Sequence, residues 1–569
     1  MSRIDPSMKL AALLVPVFAL RRQGDHGIGD TLAVKEAVDF CAAHHIAVLQ
    51  ILPIHETVGD HSPYNPMSSR ALSPALLTLS PEQVPGLSEE ALSRVAPESY
   101  LAQLRAGPVK HVAVHAMKLE CLLDAAKVFA GWDGSDALAK DFAAFQEANG
   151  TWLRPYSLFR ILVEENRGNI HWPDWRPEQQ AVNTAEAWLT SHPEKERLGG
   201  LRHGFTYIQW VAWRQWREVK AHADAKGVKL FGEMSFGVSK SSSDVWAHPD
   251  LFDVNWSMGT RPVVYFDTNK DSERLGQNWG LPPYKWENHR ASGFAWLRGR
   301  IESERQFFHL CRLDHLRGYF RAYMFPWAGG AKHSEFALLT DAEILEQTGG
   351  LSPRFVPGPD EEPASAAMND LQGREIISVI QEAAQDMGLF AEIMGNMPDY
   401  MRRTLDDLGV ANLTFPLLER KGDRTLVPVD TYRALSLVSY ANHDHAPLAA
   451  QYLRLVEQAK LEPEGDAAKD LQAVLGFAGW NGQPAPEQLN ADLLEALQRS
   501  LFATPCVLAG LMSSDLLGIP QRFNLPGTFG ADTWNERLEH SLADYTHHAV
   551  YGPRIKRATE LIRESGRAA

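Results

Sequence analysis

Cysteine is scarce in this sequence, and the few cysteines it contains are not arranged in pairs. The 569-residue chain has four, at Cys41, Cys121, Cys311 and Cys506, and no CxxC spacing joins any two of them. This spacing gives no support to a zinc site, so we predict reduced, buried thiols in a cytoplasmic protein.

A long apolar run is also missing. The run Leu10–Leu20 follows Lys9, but it leads directly into Arg21 and Arg22 and lacks the small-residue pattern of a signal-peptide cleavage site. It is far shorter than the roughly 20 residues that a membrane span needs, so no membrane partner is expected. We interpret the run as a first buried strand, which Pro16 bends or ends.

Basic tracts are absent, and the chain is acidic, with a formal net charge of −15. A basic patch is the usual electrostatic signature of proteins that bind nucleic acid or anionic membranes, so neither is an expected partner. The acidic balance favours solubility and is compatible with a neutral substrate.

What the sequence does contain is a repeated alternation of strand and helix signals. Asp30 is predicted to cap a helix, and the apolar run Ile46–Ile54 predicts the strand that follows it. Further strands are predicted at residues 228–231, 307–313, 388–391, 413–418 and 435–440. Repeated βα units indicate a parallel sheet with helices outside it. The predicted fold class is therefore α/β, a (β/α)8 TIM barrel with large, mostly helical insertions.

Three insertions are predicted between the barrel elements. Residues from about 76 to 205 and from about 447 to 500 are mostly helical, whereas residues from about 322 to 372 contain Gly-Gly twice and PGPDEEP, which predicts loops. We expect residues 1–569 to form a single catalytic barrel unit.

Three of the predicted strand ends carry an acid. Asp314 ends HLCRLD, Glu392 ends GLFAE, and Asp444 follows LVSYANH. Because the active sites of barrel enzymes lie at the carboxyl ends of the strands, these acids are expected to lie close together. Arg312 is expected to keep Asp314 ionised through its opposite charge.

Paired carboxylates suit glycoside chemistry. In a retaining enzyme they stand roughly 5–5.5 Å apart, and one attacks the anomeric carbon while the other protonates the leaving oxygen. Any one acid alone is more commonly a solvated loop residue or an ion-pair partner. A divalent metal site is a weaker interpretation, because no His-x-Glu or Asp-x-Asp spacing joins the acids; neither a metal nor a cofactor is expected.

Nine motifs along the chain, in a fixed order, carry a family resemblance. They are GIGD (27–30), LQILPI (49–54), GDHSPYNPMSSRAL (59–72), KGVKLFGEMSFGVSKSSSDVWAHPDLF (226–252), GQNWGLPPYKW (276–286), RLDHLRGYF (312–320), FAEIMG (390–395), ANHDHA (441–446) and NLPGT (524–528) with Trp534 and Arg537. From about Leu13 to Leu538 the chain resembles glycoside hydrolase family 77, the amylomaltases or 4-α-glucanotransferases.

The resemblance implies roles for particular residues. Asp314 matches the family nucleophile, Glu392 the general acid/base, and Asp444 the residue that holds the distorted donor sugar. The other positions that match the family's glucan subsites are Arg312, His315, His443, Tyr64, Gln277, Trp279, Asn524 and Glu233. The implied activity is retaining transfer of α-1,4-glucan segments between a maltooligosaccharide donor and acceptor, without a cofactor.

The sequence also departs from the family pattern. Ile393 and Glu233 stand where the family has aspartate, His445 stands where it has asparagine, and its GD-x-P proline is replaced at Ser235 or Phe236. The loop from 261 to 275 is longer and charged. An α-glucan hydrolase with the same acids and a non-catalytic glucan-binding protein therefore remain alternatives.

Overall fold

The computed structural model describes residues 4–57, 59, 61–261, 277–326, 340–393, 397–421, 425–526 and 533–568. Its strands, in chain order, are β1 Leu10–Leu14, β2 Val48–Gln50, β3 Lys229–Met234, β4 Trp256–Thr260, β5 Gln277–Leu281, β6 Leu310–Leu313, β7 Ala322–Pro326, β8 Arg354–Val356, β9 Gly388–Ala391, β10 Ala411–Thr414, β11 Ser436–Ser439 and β12 Leu508–Met512.

Eight of these strands close into a parallel barrel. The order around it is β1-β2-β3-β6-β9-β10-β11-β12, with β12 pairing back onto β1. Strands that follow one another in the chain are thus neighbours in the barrel, which is the arrangement of a (β/α)8 TIM barrel. The predicted fold class is confirmed.

Helices surround this barrel and fill the insertions. The α-helices are Thr31–Ala43, Glu89–Val95, Glu98–Arg105, His111–Phe129, Ala137–Glu165, Val182–Ser191, Lys195–Lys226, Ser243–Ala247, Trp286–Ala291, Ala295–Phe307, Arg317–Phe320, Asp341–Gln347, Pro363–Ala384, Asp399–Leu408, Leu448–Leu461, Asp466–Phe477, Ala491–Phe502, Ser513–Leu517, Leu542–His547 and Tyr551–Glu564. Short 3-10 helices lie at Val17–Ala19, Pro74–Leu76, Trp172–Asp174, Pro177–Gln179 and Val429–Thr431. Among the described residues, no helix is both long and apolar enough to cross a membrane.

The first βα unit follows from local chemistry. The strand β1 stops at Leu14, two residues before Pro16, because proline has no N–H to donate to a neighbouring strand. Of the two predicted effects of Pro16, the strand therefore ends rather than bends, and Val17–Ala19 form a 3-10 turn after it. The side chain of Asp30 accepts a hydrogen bond from the Ala33 N–H at 3.0 Å, so the predicted helix cap is confirmed.

A second, antiparallel sheet has the order β5-β4-β7-β8. The strands β4 and β5 lie between β3 and β6 in the chain, and β7 and β8 lie between β6 and β9. The prediction of a loop-rich segment from 322 to 372 is wrong for much of its length, because β7 pairs with both β4 and β8 and a long helix begins at Pro363. The part of that segment from 327 to 339, and the long loop from 262 to 275, lie outside the described residues.

The barrel interior changes character along its axis. Apolar side chains such as Val48, Phe231 and Phe390 pack together inside it, and the two phenylalanine rings lie 4.7 Å apart. Nearer the carboxyl ends of the strands, the polar side chains of Gln50 and Arg312 line a cavity. The polar side chains that line this cavity therefore lie at one end of the barrel, beyond its packed apolar interior.

Candidate active site

Two carboxyl groups directly follow neighbouring barrel strands. Asp314 comes after β6 and Glu392 after β9, and these strands pair in parallel. The Asp314 N–H donates to the Met234 carbonyl at 3.1 Å, and the Glu392 N–H donates to the Leu313 carbonyl at 3.0 Å. Each acid therefore extends the hydrogen bonding of its strand by one residue, which places the two side chains next to each other at the barrel mouth.

Arg312 lies between these acids. The residue is 1% exposed, and its guanidinium stands 3.5 Å from Asp314 Oδ1 and 3.5 Å from Glu392 Oε1. It also forms an ion pair with Glu233 on the adjacent strand β3. One buried cation thus serves three carboxylates, because a buried guanidinium needs opposite charge around it.

Asp444 lies in the loop after β11 and is held from several sides. Asn524 Nδ2 donates to its Oδ1 at 2.7 Å, and His443 Nε2 stands 3.2 Å from its Oδ2. The Arg522 guanidinium donates to the Asp444 carbonyl at 2.6 Å. Tyr64 stacks on the His443 ring at 5.2 Å, and its hydroxyl lies 2.7 Å from His443 Nε2.

The second sheet extends this site through β5. The Trp279 ring meets the His315 ring edge-on at 4.7 Å, and its Nε1 donates to Gln277 Oε1 at 3.1 Å. His315 has a positive φ of 42°, which is uncommon for a residue other than glycine. Its backbone N–H donates to Glu392 Oε2 at 2.8 Å, so this unusual backbone conformation orients the carboxyl group.

All the candidate residues in the described part of the chain are therefore connected through short contacts. The acids are surrounded by the residues predicted to line the subsites, which are Arg312, His315, His443, Tyr64, Gln277, Trp279, Asn524 and Glu233. Two contacts escaped prediction: the Phe236 N–H donates to Asp314 Oδ2 at 3.2 Å, and Arg522 braces Asp444. The tripeptide QRF directly before NLPGT is the only sequence signal that could have indicated Arg522.

The acids differ in electrostatics. Burial raises the pKa of Asp314 to about 7, with Glu392 adding to the rise and Arg312 opposing it. The expectation that Arg312 keeps Asp314 ionised is therefore corrected, because desolvation outweighs the ion pair. Burial opposes ionisation of Asp444 as well, but His443 and Arg312 outweigh it, so the pKa of Asp444 lies well below its usual range.

The residues that depart from the family pattern are mostly buried. Glu233 is fully buried against Arg312, and Ile393 is 9% exposed beside Glu392. His445 Nδ1 lies 2.6 Å from Asn442 Oδ1, and the His445 ring packs at 5.1 Å from Phe415. These residues pack around the acids, and all three carboxylates of the site are present.

Within the described ranges, no group of three or more His, Cys, Asp or Glu side chains is arranged to hold a metal ion. A parallel barrel with paired carboxylates at its strand ends defines an enzyme of the class that breaks and remakes glycosidic bonds. The family model described as 4-alpha-glucanotransferase matches residues 15–543. The chain therefore belongs to glycoside hydrolase family 77 and is a glycosyl-transferring enzyme for α-1,4-glucans.

Two 4-alpha-glucanotransferases illustrate the sequence similarity, one over nearly the whole chain and one over about half of it. The 4-alpha-glucanotransferase of Chlamydia caviae is 27% identical over 561 residues, covering 95% of this chain and 93% of that protein. That of Thermus thermophilus is 33% identical over 310 residues, covering 53% of this chain and 57% of that protein.

Solved structures share the fold. The amylomaltase from Streptococcus agalactiae in complex with acarbose has a TM-score of 0.73 at 19% identity, covering 99% of this chain and all (100%) of that one. The amylomaltase from Corynebacterium glutamicum has a TM-score of 0.75 at 18% identity, and the match covers 97% of this chain and 75% of that one.

Proposed function

We propose that this chain transfers α-1,4-glucan segments between maltooligosaccharides by a retaining double displacement. The observation that carries the proposal is the placement of Arg312 within 3.5 Å of both Asp314 and Glu392. Two carboxyl groups held side by side can divide the tasks of nucleophile and general acid/base.

In the first step, Asp314 Oδ attacks the anomeric carbon of the donor and forms a covalent glycosyl-enzyme. Glu392 gives its proton to the glycosidic oxygen as that bond breaks, and the shortened glucan leaves with a new hydroxyl group. The His315 N–H, at 2.8 Å from Glu392, keeps the acid aimed at the leaving oxygen.

The residues around Asp444 hold the donor sugar in this scheme. An ionised Asp444 accepts hydrogen bonds from sugar hydroxyls and stabilises the positive charge that develops on the ring. Tyr64, stacked on His443, offers an aromatic face to the apolar side of a glucose ring. Gln277 and Trp279 on β5 contact the glucan further from the broken bond.

In the second step, Glu392 removes the proton from the 4-hydroxyl of an acceptor sugar, whose oxygen attacks the anomeric carbon and displaces Asp314. Transfer exceeds hydrolysis when acceptor subsites hold a sugar where water would otherwise react. In this scheme the amide of Gln277 and the ring of Trp279, which packs against His315 beside Glu392, supply contacts of this kind.

Incubation with maltotriose tests the proposed function. We expect glucose and longer oligosaccharides to appear while the number of reducing ends stays constant, because each transfer breaks and makes one glycosidic bond. Chromatography of the products together with a reducing-end assay measures both quantities.

The two alternatives give different results in the same experiment. Reducing ends that increase in step with glucose would identify a hydrolase. Maltooligosaccharide binding without any turnover would identify a non-catalytic glucan-binding protein. Either result would contradict the proposal.

We also expect a distinct pH dependence. Because burial raises the pKa of Asp314 to about 7, kcat/KM is expected to decline as the pH falls through about 7 and protonates the nucleophile. Rates measured from pH-jump assays, with circular dichroism as a check on folding, give the profile. A limb centred near the ordinary aspartate value of about 4 would contradict this assignment.

The cellular location and the domain organisation belong to the proposal as well. Cys41, Cys121, Cys311 and Cys506 are all free and buried, which supports a reducing, cytoplasmic location. Residues 1–569 are proposed to act as a single catalytic unit, because the second sheet and the C-terminal loop with Asn524 both supply groups to the barrel mouth.

A further inference from the structure

The turn after β3 contacts the carboxyl group of Asp314. The Phe236 N–H donates to Asp314 Oδ2 at 3.2 Å, while the Asp314 N–H donates back to Met234 at 3.1 Å. The N–H of Phe236 belongs to the same peptide group as the carbonyl of Ser235. Because a peptide group is planar and rigid, whatever holds this carbonyl also aims the N–H.

Arg300 holds that carbonyl from behind. It lies on the helix Ala295–Phe307, is 1% exposed, and donates from Nη2 to the Ser235 carbonyl at 2.6 Å and to Ser235 Oγ at 2.9 Å. Its Nη1 stands 3.5 Å from the Tyr284 hydroxyl, which in turn donates to the Phe236 carbonyl. Arginine and tyrosine together fix both carbonyls of the turn.

The charge of Arg300 is directed at this turn. Tyr284, Tyr319, Glu304 and Asp244 are the titratable groups that influence it most. Among the described residues, no carboxylate oxygen lies within the 4.0 Å of an ion pair with Arg300. Burial raises the pKa of Glu304 to about 8, so this carboxyl group is mostly neutral at pH 7 and does not cancel the guanidinium charge.

We propose that Arg300 is a positioning residue for the nucleophile: through the peptide group between Ser235 and Phe236 it polarises and aims the N–H that binds Asp314. This inference rests on the proposed role of Asp314 as the nucleophile. A charged donor on a carbonyl strengthens the N–H on the other side of the same peptide group, as in other chains of hydrogen bonds.

The sequence departure at Ser235 fits this arrangement. Ser235 is one of the two positions, with Phe236, at which the proline of the resembling family is replaced, and the Ser235 hydroxyl gives Arg300 a second acceptor. The Phe236 ring packs against the rings of His315, Tyr284 and Tyr319, at centroid distances of 5.3, 6.0 and 5.1 Å. The turn is therefore held by its side chain as well as by its backbone.

Kinetics of Arg300→Met and Arg300→Gln test the proposal, with maltotriose as the substrate. Both variants are expected to lower kcat by about 10- to 100-fold with a smaller change in KM, because the lost donor acts on the nucleophile and not on the glucan. The acidic limb of kcat/KM is expected to move to higher pH, since a weaker Phe236 N–H stabilises ionised Asp314 less. Arg300→Lys keeps the positive charge, so its acidic limb is expected to lie closer to that of the wild type. Ser235→Ala removes only the second acceptor of Arg300 and is expected to lower kcat by less than about fivefold.

Arg567→Met is the matched control. Arg567 is also fully buried and donates to backbone carbonyls, those of Phe502, Thr504 and Cys506, beside the beginning of β12 and far along the barrel from the acids. This variant is expected to lower the melting temperature and leave the pH limb unchanged.

An unchanged kcat and pH limb in either neutral Arg300 variant would overturn the inference, even if Asp314→Asn is inactive. An equal shift of the limb in Arg567→Met would overturn it as well, since the effect would then be a general consequence of losing a buried arginine. Full activity of Asp314→Asn would instead refute the proposed function.

Discussion

Changing Asp314 to asparagine is expected to lower kcat on maltotriose by at least about 10⁴-fold. An amide cannot attack the anomeric carbon, so no covalent glycosyl-enzyme forms. The substitution keeps the size of the side chain and leaves an oxygen that can accept from the Phe236 N–H, so folding is expected to persist. Initial rates of glucose release measure the loss, and thermal melting checks the fold.

Asp515 offers a matched control for this variant. It too follows a barrel strand, is 1% exposed, and has a pKa that burial raises to about 7. Its carboxyl group accepts from the Leu448 N–H at 2.7 Å and caps a helix. Asp515→Asn is expected to keep kcat within about threefold, because asparagine also caps helices. Equal losses in the two variants would show that burial of an acid, and not nucleophilic attack, explains the effect.

Glu392→Gln is expected to lower kcat on maltotriose by about 10²- to 10⁴-fold. The leaving oxygen of a natural glucan needs a proton, which glutamine cannot give. An α-maltosyl fluoride donor needs no such proton, because fluoride leaves unaided. The first step with this donor is therefore expected to stay close to the wild-type rate, as fluoride release in the first turnover measures.

The two acid variants separate the roles of the carboxyl groups. Asp314→Asn is expected to be inactive toward both maltotriose and the fluoride, whereas Glu392→Gln retains the first step with the fluoride. If Glu392→Gln lowered the activity toward maltotriose and toward the fluoride equally, the assignment of Glu392 as the proton donor would be contradicted.

Most of the barrel could be predicted because its strands are apolar and alternate with helices. The strand β12, Leu508–Met512, escaped prediction because its sequence LAGLM has no β-branched residue and no alternation. The second sheet was missed for a related reason: WSMGT and QNWGL are short and contain glycine, and they become strands only by pairing with distant segments.

The acids of the site could be predicted because strand ends in a barrel meet at one face. Supporting contacts could not, since they join residues far apart in the chain and leave no local pattern. Arg522 is 78 residues from Asp444, and Arg300 is 65 residues from Ser235. The direction in which the pKa of Asp314 shifts also required the structure, because only the fold determines how strongly burial competes with the charge of Arg312.

Trapping the glycosyl-enzyme tests the double displacement most directly. Glu392→Gln incubated with α-maltosyl fluoride forms the intermediate but lacks the base for the second step, so the intermediate is expected to accumulate. Mass spectrometry of the intact protein is then expected to show one added maltosyl unit, and trypsin digestion is expected to place it on the peptide Leu313–Arg317, at Asp314. An adduct on another peptide, or no adduct while fluoride is still released, would contradict the account.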